Sequence, residues 1–174
     1  MAIGFFKNIP FRNKKNKIRT RNPFNLEIND IIEYDLTEYQ VIGKITYEDN
    51  GYYWYDYHLF DGHKHLWFSA EDDDVVILGL FEKLKPDHEL YSIIQTEIPT
   101  VINYEGERYS LLEKGRALIK AEGKVGASTG QSVEYWDFEN ALGANISVEK
   151  WGNELEISIG QEVKESLLDF YPAQ

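Results

Sequence analysis

The sequence predicts a mainly β protein: an antiparallel β-sandwich or barrel built from two related halves, with at most one or two short helices. Three observations carry this. A short phrase recurs: Gly43-Lys44-Ile45, Trp54-Tyr55-Asp56-Tyr57 and Ser69-Ala70-Glu71 return as Gly123-Lys124-Val125, Tyr135-Trp136-Asp137-Phe138 and Ser147-Val148-Glu149, at offsets of 80, 81 and 78 residues. Such an echo marks two copies of one supersecondary unit. Aromatic residues make up 14% of the 174, which favours strands over helices. Turn signals at Asn50-Gly51, Asp61-Gly62, Glu105-Gly106 and Gly152-Asn153 separate short apolar-polar segments, the punctuation of an antiparallel sandwich or barrel.

Residues 1–25 read as a basic N-terminal arm. Ile3, Phe5, Phe6, Ile9 and Phe11 crowd its start, and Pro10 limits any helix. Lys7, Arg12, Lys14, Lys15, Lys17, Arg19 and Arg21 give residues 1–21 a net charge of +7 with no acid among them. Without apolar periodicity, this stretch reads as a linker or tail. The first β repeat spans 26–83, with strands expected at 31–34, 39–47, 52–60, 65–71 and 75–80. A connector follows at 84–99, where Pro86-Asp87 before Leu90, Ile93 and Ile94 suits one or two helical turns capped by Asp87, or a strand. The second repeat spans 100–174, with strands at 101–104, 108–112, 117–124, 133–140, 145–151 and 155–159. A final short helix or strand around Val163, Leu167 and Phe170 ends at Pro172. The halves are expected to share one compact domain.

A strand shows alternate side chains to opposite faces. Tyr55, Tyr57 and Leu59 therefore share a side with Phe68 and Ala70, and Trp136 and Phe138 share one with Ile146 and Val148. This is the expected core face, the apolar sides of both halves meeting inward. The opposite face carries Asp56, Ser69 and Glu71, then Asp137, Ser147 and Glu149, with Trp54 and Trp67 alongside. Asp56, Glu71, Asp137, Glu149, Trp54 and Trp67 are the candidate ligand-binding residues, because matched acids beside indole rings suit a cation. The more ordinary role for such acids is a solvated face that keeps the sheet soluble and in register. Large aromatics, Trp136 and Trp151 included, more often serve packing than a stacking platform.

Several function classes drop out. Without cysteine there is no disulfide framework, thiolate metal site or cysteine nucleophile. His58, His63 and His65 gather near one hairpin, but His63 falls in the turn and the second copy has no histidine, so surface histidines are expected, not a zinc site. Asp72-Asp73-Asp74 lacks the spaced ligands and glycine of a calcium loop. No nucleophile–base pair is evident, so no catalytic residue, cofactor or metal is expected and the protein is not expected to be an enzyme. Beyond the arm the chain carries a net −19, which repels nucleic acid and suits a cationic ligand. No apolar run approaches the roughly 20 residues that span a bilayer, and the start lacks the layout of a secretory signal. A cytoplasmic location is expected. The apolar and basic arm suits a peripheral contact with the anionic inner membrane surface, or with a protein partner.

Asp30-Ile31-Ile32, Tyr39-Gln40-Val41-Ile42-Gly43, Trp54-Tyr55-Asp56-Tyr57-His58-Leu59 and Trp67-Phe68-Ser69 together resemble a bacterial family catalogued as domain of unknown function 4178. In the second half, Tyr109-Ser110-Leu111-Leu112-Glu113-Lys114-Gly115 with Ala117, then Asp137-Phe138 and Ser147-Val148-Glu149, extend the likeness over residues 26–165. Members often begin, as Phe5-Phe6-Lys7 does here, with a Phe-Phe-Lys start and a basic stretch. The family has no agreed catalytic residues to carry over. Its members often occur beside envelope-stress proteins of the phage-shock type and beside polyamine-synthesis enzymes. The resemblance implies only the envelope-stress setting; with the residues and the basic arm it leads to the expectation of a non-enzymatic binding or adaptor module acting at the inner membrane. The alternative is a small-ligand-binding β protein whose acidic face receives a cationic, polyamine-like ligand.

Overall fold

In the computed structural model, residues 20–94 and 97–174 are described. Strands β1 (Ile31–Tyr34), β2 (Thr37–Asp49), β3 (Tyr52–Phe60), β4 (His65–Asp73) and β5 (Val75–Lys83) precede a short helix, α1 (Glu89–Ile93). Then come β6 (Val101–Tyr104), β7 (Glu107–Gly123), β8 (Ser132–Glu139), β9 (Ala144–Trp151) and β10 (Glu154–Glu162), and a 3-10 turn (Glu165–Leu167) leads into β11 (Leu168–Tyr171). Eight strands, in the order β2-β3-β4-β5-β10-β9-β8-β7, close into an antiparallel barrel through the β2–β7 seam. Closure removes the free edges of the ring. Outside it, β1 and β11 extend the sheet from the start of β2, and β6 pairs with the start of β7. Among the described residues no helix is long and apolar enough to cross a membrane.

Two of the three echoed phrases mark the barrel's duplication, whereas the first does not: in matched register Ile45 corresponds to Glu113 and Tyr47 to Gly115, and Gly43 and Gly123 are partners across a seam. β2–β5 form one unit and β7–β10 the other, and they meet antiparallel at two seams, β2–β7 and β5–β10. The repeated glycine belongs to the first seam, where Gly43 pairs with Gly123. A Cβ on Gly43 would lie 2.6 Å from the Lys124 carbonyl oxygen, and Gly123 adopts φ +68° with Ile42 O only 2.5 Å from its own virtual Cβ. Only glycine permits that approach. Both units also bulge, between Val41 and Gly43 and between Leu111 and Glu113, at points two residues apart in the matched register. The second bulge corrects the expectation of separate strands at 108–112 and 117–124. One 17-residue strand bends there, so that it pairs in turn with β6, β8 and β2.

The helical alternative holds for the connector, but Asp87 is not its cap. His88 is the N-cap, its Nδ1 accepting from the Leu90 amide at 3.2 Å. At the other end, residues 168–171 settle as a strand because β1 offers an open edge to pair with.

The apolar faces do not meet inward. Tyr57, Leu59, Phe68 and Ala70 point out of the ring and are covered by Leu26, Ile32, Val163 and Leu168. Phe138, Ile146, Val148 and Ile157 point out on the other side, under Leu90, Ile94, Ile102 and Tyr104. Tyr57 and Phe138 are wholly buried all the same. In a sandwich, two apolar faces would share one core. In this closed ring each receives its own cover, and the polar faces turn into the lumen.

The anchored body of the chain takes in more of the basic stretch than its charge pattern suggested. Arg21 is not part of a free basic stretch: its Nε lies 2.7 Å from Asp30 Oδ2 and a terminal nitrogen 3.0 Å from Glu27. Phe5, Phe6, Lys7, Arg12, Lys14, Lys15, Lys17 and Arg19 lie outside the described residues. Asp30 is fully buried and also accepts from the amides of Glu27 (2.7 Å) and Ala173 (2.8 Å), tying both ends of the described chain to β1. Removing one partner of a buried ion pair strands the other charge. Asp30→Ala is therefore expected to cost about 3–5 kcal/mol, read as a lower urea midpoint with an unchanged slope.

Candidate functional site

Period-two alternation sends Tyr47, Trp54, Asp56, Trp67, Ser69 and Glu71 of the first unit into the barrel, and Tyr135, Asp137, Ser147, Glu149 and Trp151 of the second to meet them. They line a cavity of about 910 Å³. All six residues singled out from the sequence, Asp56, Glu71, Asp137, Glu149, Trp54 and Trp67, converge on this one space. The two copies match pair for pair across neighbouring strands: Asp56 faces Ser69 as Asp137 faces Ser147, and Trp54 faces Glu71 as Tyr135 faces Glu149.

The acids thus lie in a walled lumen, which corrects the expectation of a freely solvated face. The described lining carries ten carboxylates against one ammonium, Lys83. Burial makes ionisation costly. It lifts the Asp56 carboxyl to about 6, against the opposing pull of the Ser69 and Tyr47 hydroxyls. Asp137 rises to about 7, again through burial, with Asp56, Glu113 and Glu71 adding repulsion. Glu149 rises to about 8 through burial and the nearby Asp56 charge, and Glu71 is raised by burial and Glu113.

Aromatic side chains hold these acids in place. Tyr47 O–H donates to Glu149 Oε1 at 2.8 Å, and Trp151 Nε1–H donates to Oε2 at 3.2 Å. Trp54 stacks on Tyr47 with centroids 4.9 Å apart and planes 3° from parallel, while Tyr135 meets its edge at 5.3 Å. Tyr135 O–H donates to Asp49 Oδ2 at 3.1 Å. Two oxygens facing the cavity, Asp56 Oδ1 and Asn145 Oδ1, are buried without a hydrogen-bond partner among the described residues. Both are acceptors, so a donor completes them.

Several of these groups were missed in the sequence. Lys83 lies past Leu80, where the strand was expected to end. Glu113 follows a bulge that resets its face. Tyr47 sits two residues beyond the repeated Gly43-Lys44-Ile45, and Tyr135 was legible as the counterpart of Trp54. Trp136 packs outside the ring, with the second apolar cluster. Of the histidines, His58 and His65 are hydrogen-bonded to each other at 3.0 Å and the His58 ring stacks on Trp67, while His63 is exposed in the turn. Among the described residues no three His, Asp or Glu side chains are grouped to hold a metal ion.

The model of the family described as domain of unknown function (DUF4178) matches residues 27–165. Uncharacterized proteins of Mycobacterium bovis and of two Mycobacterium tuberculosis strains are each 28% identical over 159 residues, covering 87% of this chain and 74% of their own length. No solved structure matches the chain.

The raised carboxyls mean that the folded protein holds protons which the unfolded chain releases above about pH 4. Their contribution to stability is complete below that value and is lost as pH climbs through about 6, 7 and 8. The melting temperature of the ligand-free protein is expected to fall between pH 5.5 and 8.5. Glu149→Gln is expected to raise it by several degrees at pH 8.5 and by clearly less at pH 5.5. A flat thermal melting profile across this window would contradict the buried carboxyl cluster.

Proposed function

The chain belongs to the DUF4178 family, and on that premise we propose that its barrel is a non-enzymatic receptor for a small organic cation bearing primary ammonium groups, of the polyamine-like class. The observation that carries this is the lumen itself, ten carboxylates and one ammonium around about 910 Å³. A volume of this order fits the usual range for small-molecule sites. The stacked rings of Trp54 and Tyr47, with Trp67 and Trp151 nearby, offer faces to methylene chains and ammonium heads. Charge spread along a long lumen favours an extended organic cation over a single small ion. The orphaned acceptors Asp56 Oδ1 and Asn145 Oδ1 call for N–H donors of the same kind.

The small-ligand reading stands ahead of an adaptor at the membrane. Residues 1–19, which would make the membrane or partner contact, lie outside the described structure. They stay a separate proposal, compatible with a cation-filled barrel.

Binding works by exchange of charge. An entering ammonium favours ionised Asp56, Asp137 and Glu149, so protons leave as the cation arrives. Affinity therefore rises with pH across the range in which these acids titrate.

Isothermal calorimetry with spermidine checks both statements. At pH 8 saturable binding is expected, weakened about 10–100-fold by Asp137→Asn or Asp56→Asn, the loss expected for one charge-assisted hydrogen bond. Affinity is expected to increase from pH 6 to 8.5, with heats that depend on the buffer's ionisation enthalpy. Identical isotherms for the wild type and both variants would sink the lumen as the site.

A further inference from the structure

One cation already stands, partly exposed, at the mouth of the lumen. Lys83, the last residue of β5, pairs its Nζ with Glu156 Oε2 and stands 5.2 Å from the centre of the Trp67 ring. A carboxylate beside an indole face is the arrangement a free ammonium would take. The Lys83 charge also reaches Asp56 and Glu149, lowering the cost of ionising both.

The duplication identifies what stands in the twin position. Ser69 pairs with Gly79 across β4–β5, and its counterpart Ser147 pairs with Ser158 across β9–β10. The last strand of one unit, β5, therefore matches the last of the other, β10, Gly79 with Ser158 and, four residues on, Lys83 with Glu162. Both line the cavity. One unit thus carries an ammonium where the other carries a carboxylate. Around Asp137 the interacting carboxylates are Asp56, Glu113 and Glu71, and Lys83 is not among its principal neighbours.

Resting on the cation-receptor reading, we infer that Lys83 is a tethered ammonium filling the seat at Glu156 and Trp67, leaving the carboxylates Asp137, Glu113 and Glu71 toward the other end of the lumen for the ligand. Lys83 then determines specificity. It sets how many ammonium groups the barrel accepts, and it turns away the longer amines whose extra head would need its place. The asymmetry has a second component. Loop 124–131, at the Lys83 end of the barrel, places Val125 and Ala127 against the interior cluster that includes Trp67 and Trp151, whereas its counterpart in the first unit is the two-residue Asn50-Gly51 turn.

Calorimetry at pH 8 with putrescine, spermidine and spermine tests the assignment. Lys83→Gln is expected to tighten spermine binding about tenfold or more and to raise the spermine-to-putrescine affinity ratio accordingly. Lys83→Arg is expected to keep the wild-type ratio. Lys64→Gln, which removes the same charge from an exposed pair with Glu82, is expected to leave the ratio unmoved, separating an emptied seat from a change of net charge. Glu162→Lys installs a second tethered ammonium and is expected to weaken all three amines about tenfold or more. That variant decides the matter if Lys83→Gln does not fold by circular dichroism. Amine binding to the wild type with an unchanged ratio in Lys83→Gln, or with undiminished binding in Glu162→Lys, overturns the tethered seat and leaves the cation receptor standing. No heat from any amine with any of these proteins overturns both.

Discussion

Closing eight strands into a ring gives every side chain on one strand face the same destination. In an open sheet, Asp56, Glu71, Asp137 and Glu149 would look into water and titrate like ordinary acids. In the ring they look at each other across a confined space, where each ionised carboxylate raises the cost of the next. The protonation of the cavity follows from this geometric constraint. So does the position of the apolar residues, which turn outward and acquire separate covers from β1, β11 and α1.

The covers explain how the fold tolerates its lumen. Burying carboxylates without counter-ions opposes folding, and Lys83 is the one ammonium in the described cavity lining. Stability is drawn from outside the ring, where Tyr57, Phe68, Phe138 and their neighbours are sealed from water. Within the lumen, Ile45, Tyr47, Val133 and Tyr135 form an apolar and aromatic layer that fixes the acids. The elements that hold the protein together are thus largely separate from those that bear charge, and the charged layer is free to serve a ligand.

Duplication supplies the symmetry, and a few substitutions break it usefully. Gly43 and Gly123 keep the seam close, and the Asp–Ser pairs stay matched. The indole of Trp54 becomes the phenol of Tyr135, which adds a donor for Asp49. Lys83 becomes Glu162, and a two-residue turn becomes loop 124–131. A perfectly repeated barrel would present two identical ends. This one presents an acidic end and an end that already contains a cation.

Much of the arrangement is local and was legible in the chain. The repeat, the hairpin at Asn50-Gly51, the alternation along β3, β4, β8 and β9, and the grouping of Asp56 with Glu71 and of Asp137 with Glu149 are set by neighbouring residues, because a period of two sorts side chains whatever lies beyond the strand. That period separates the two faces without saying which is enclosed. Curvature, the bulges beside Gly43 and Glu113, pairing between residues far apart in sequence, and covers from distant segments decide that, so the acid face was expected outside and lies within. The same non-local cause draws Arg21 out of the basic arm toward Asp30, and brings Lys83 to Glu156 across a seam between units 73 residues apart. Short-range stereochemistry wrote the faces; ring closure assigned them their surroundings.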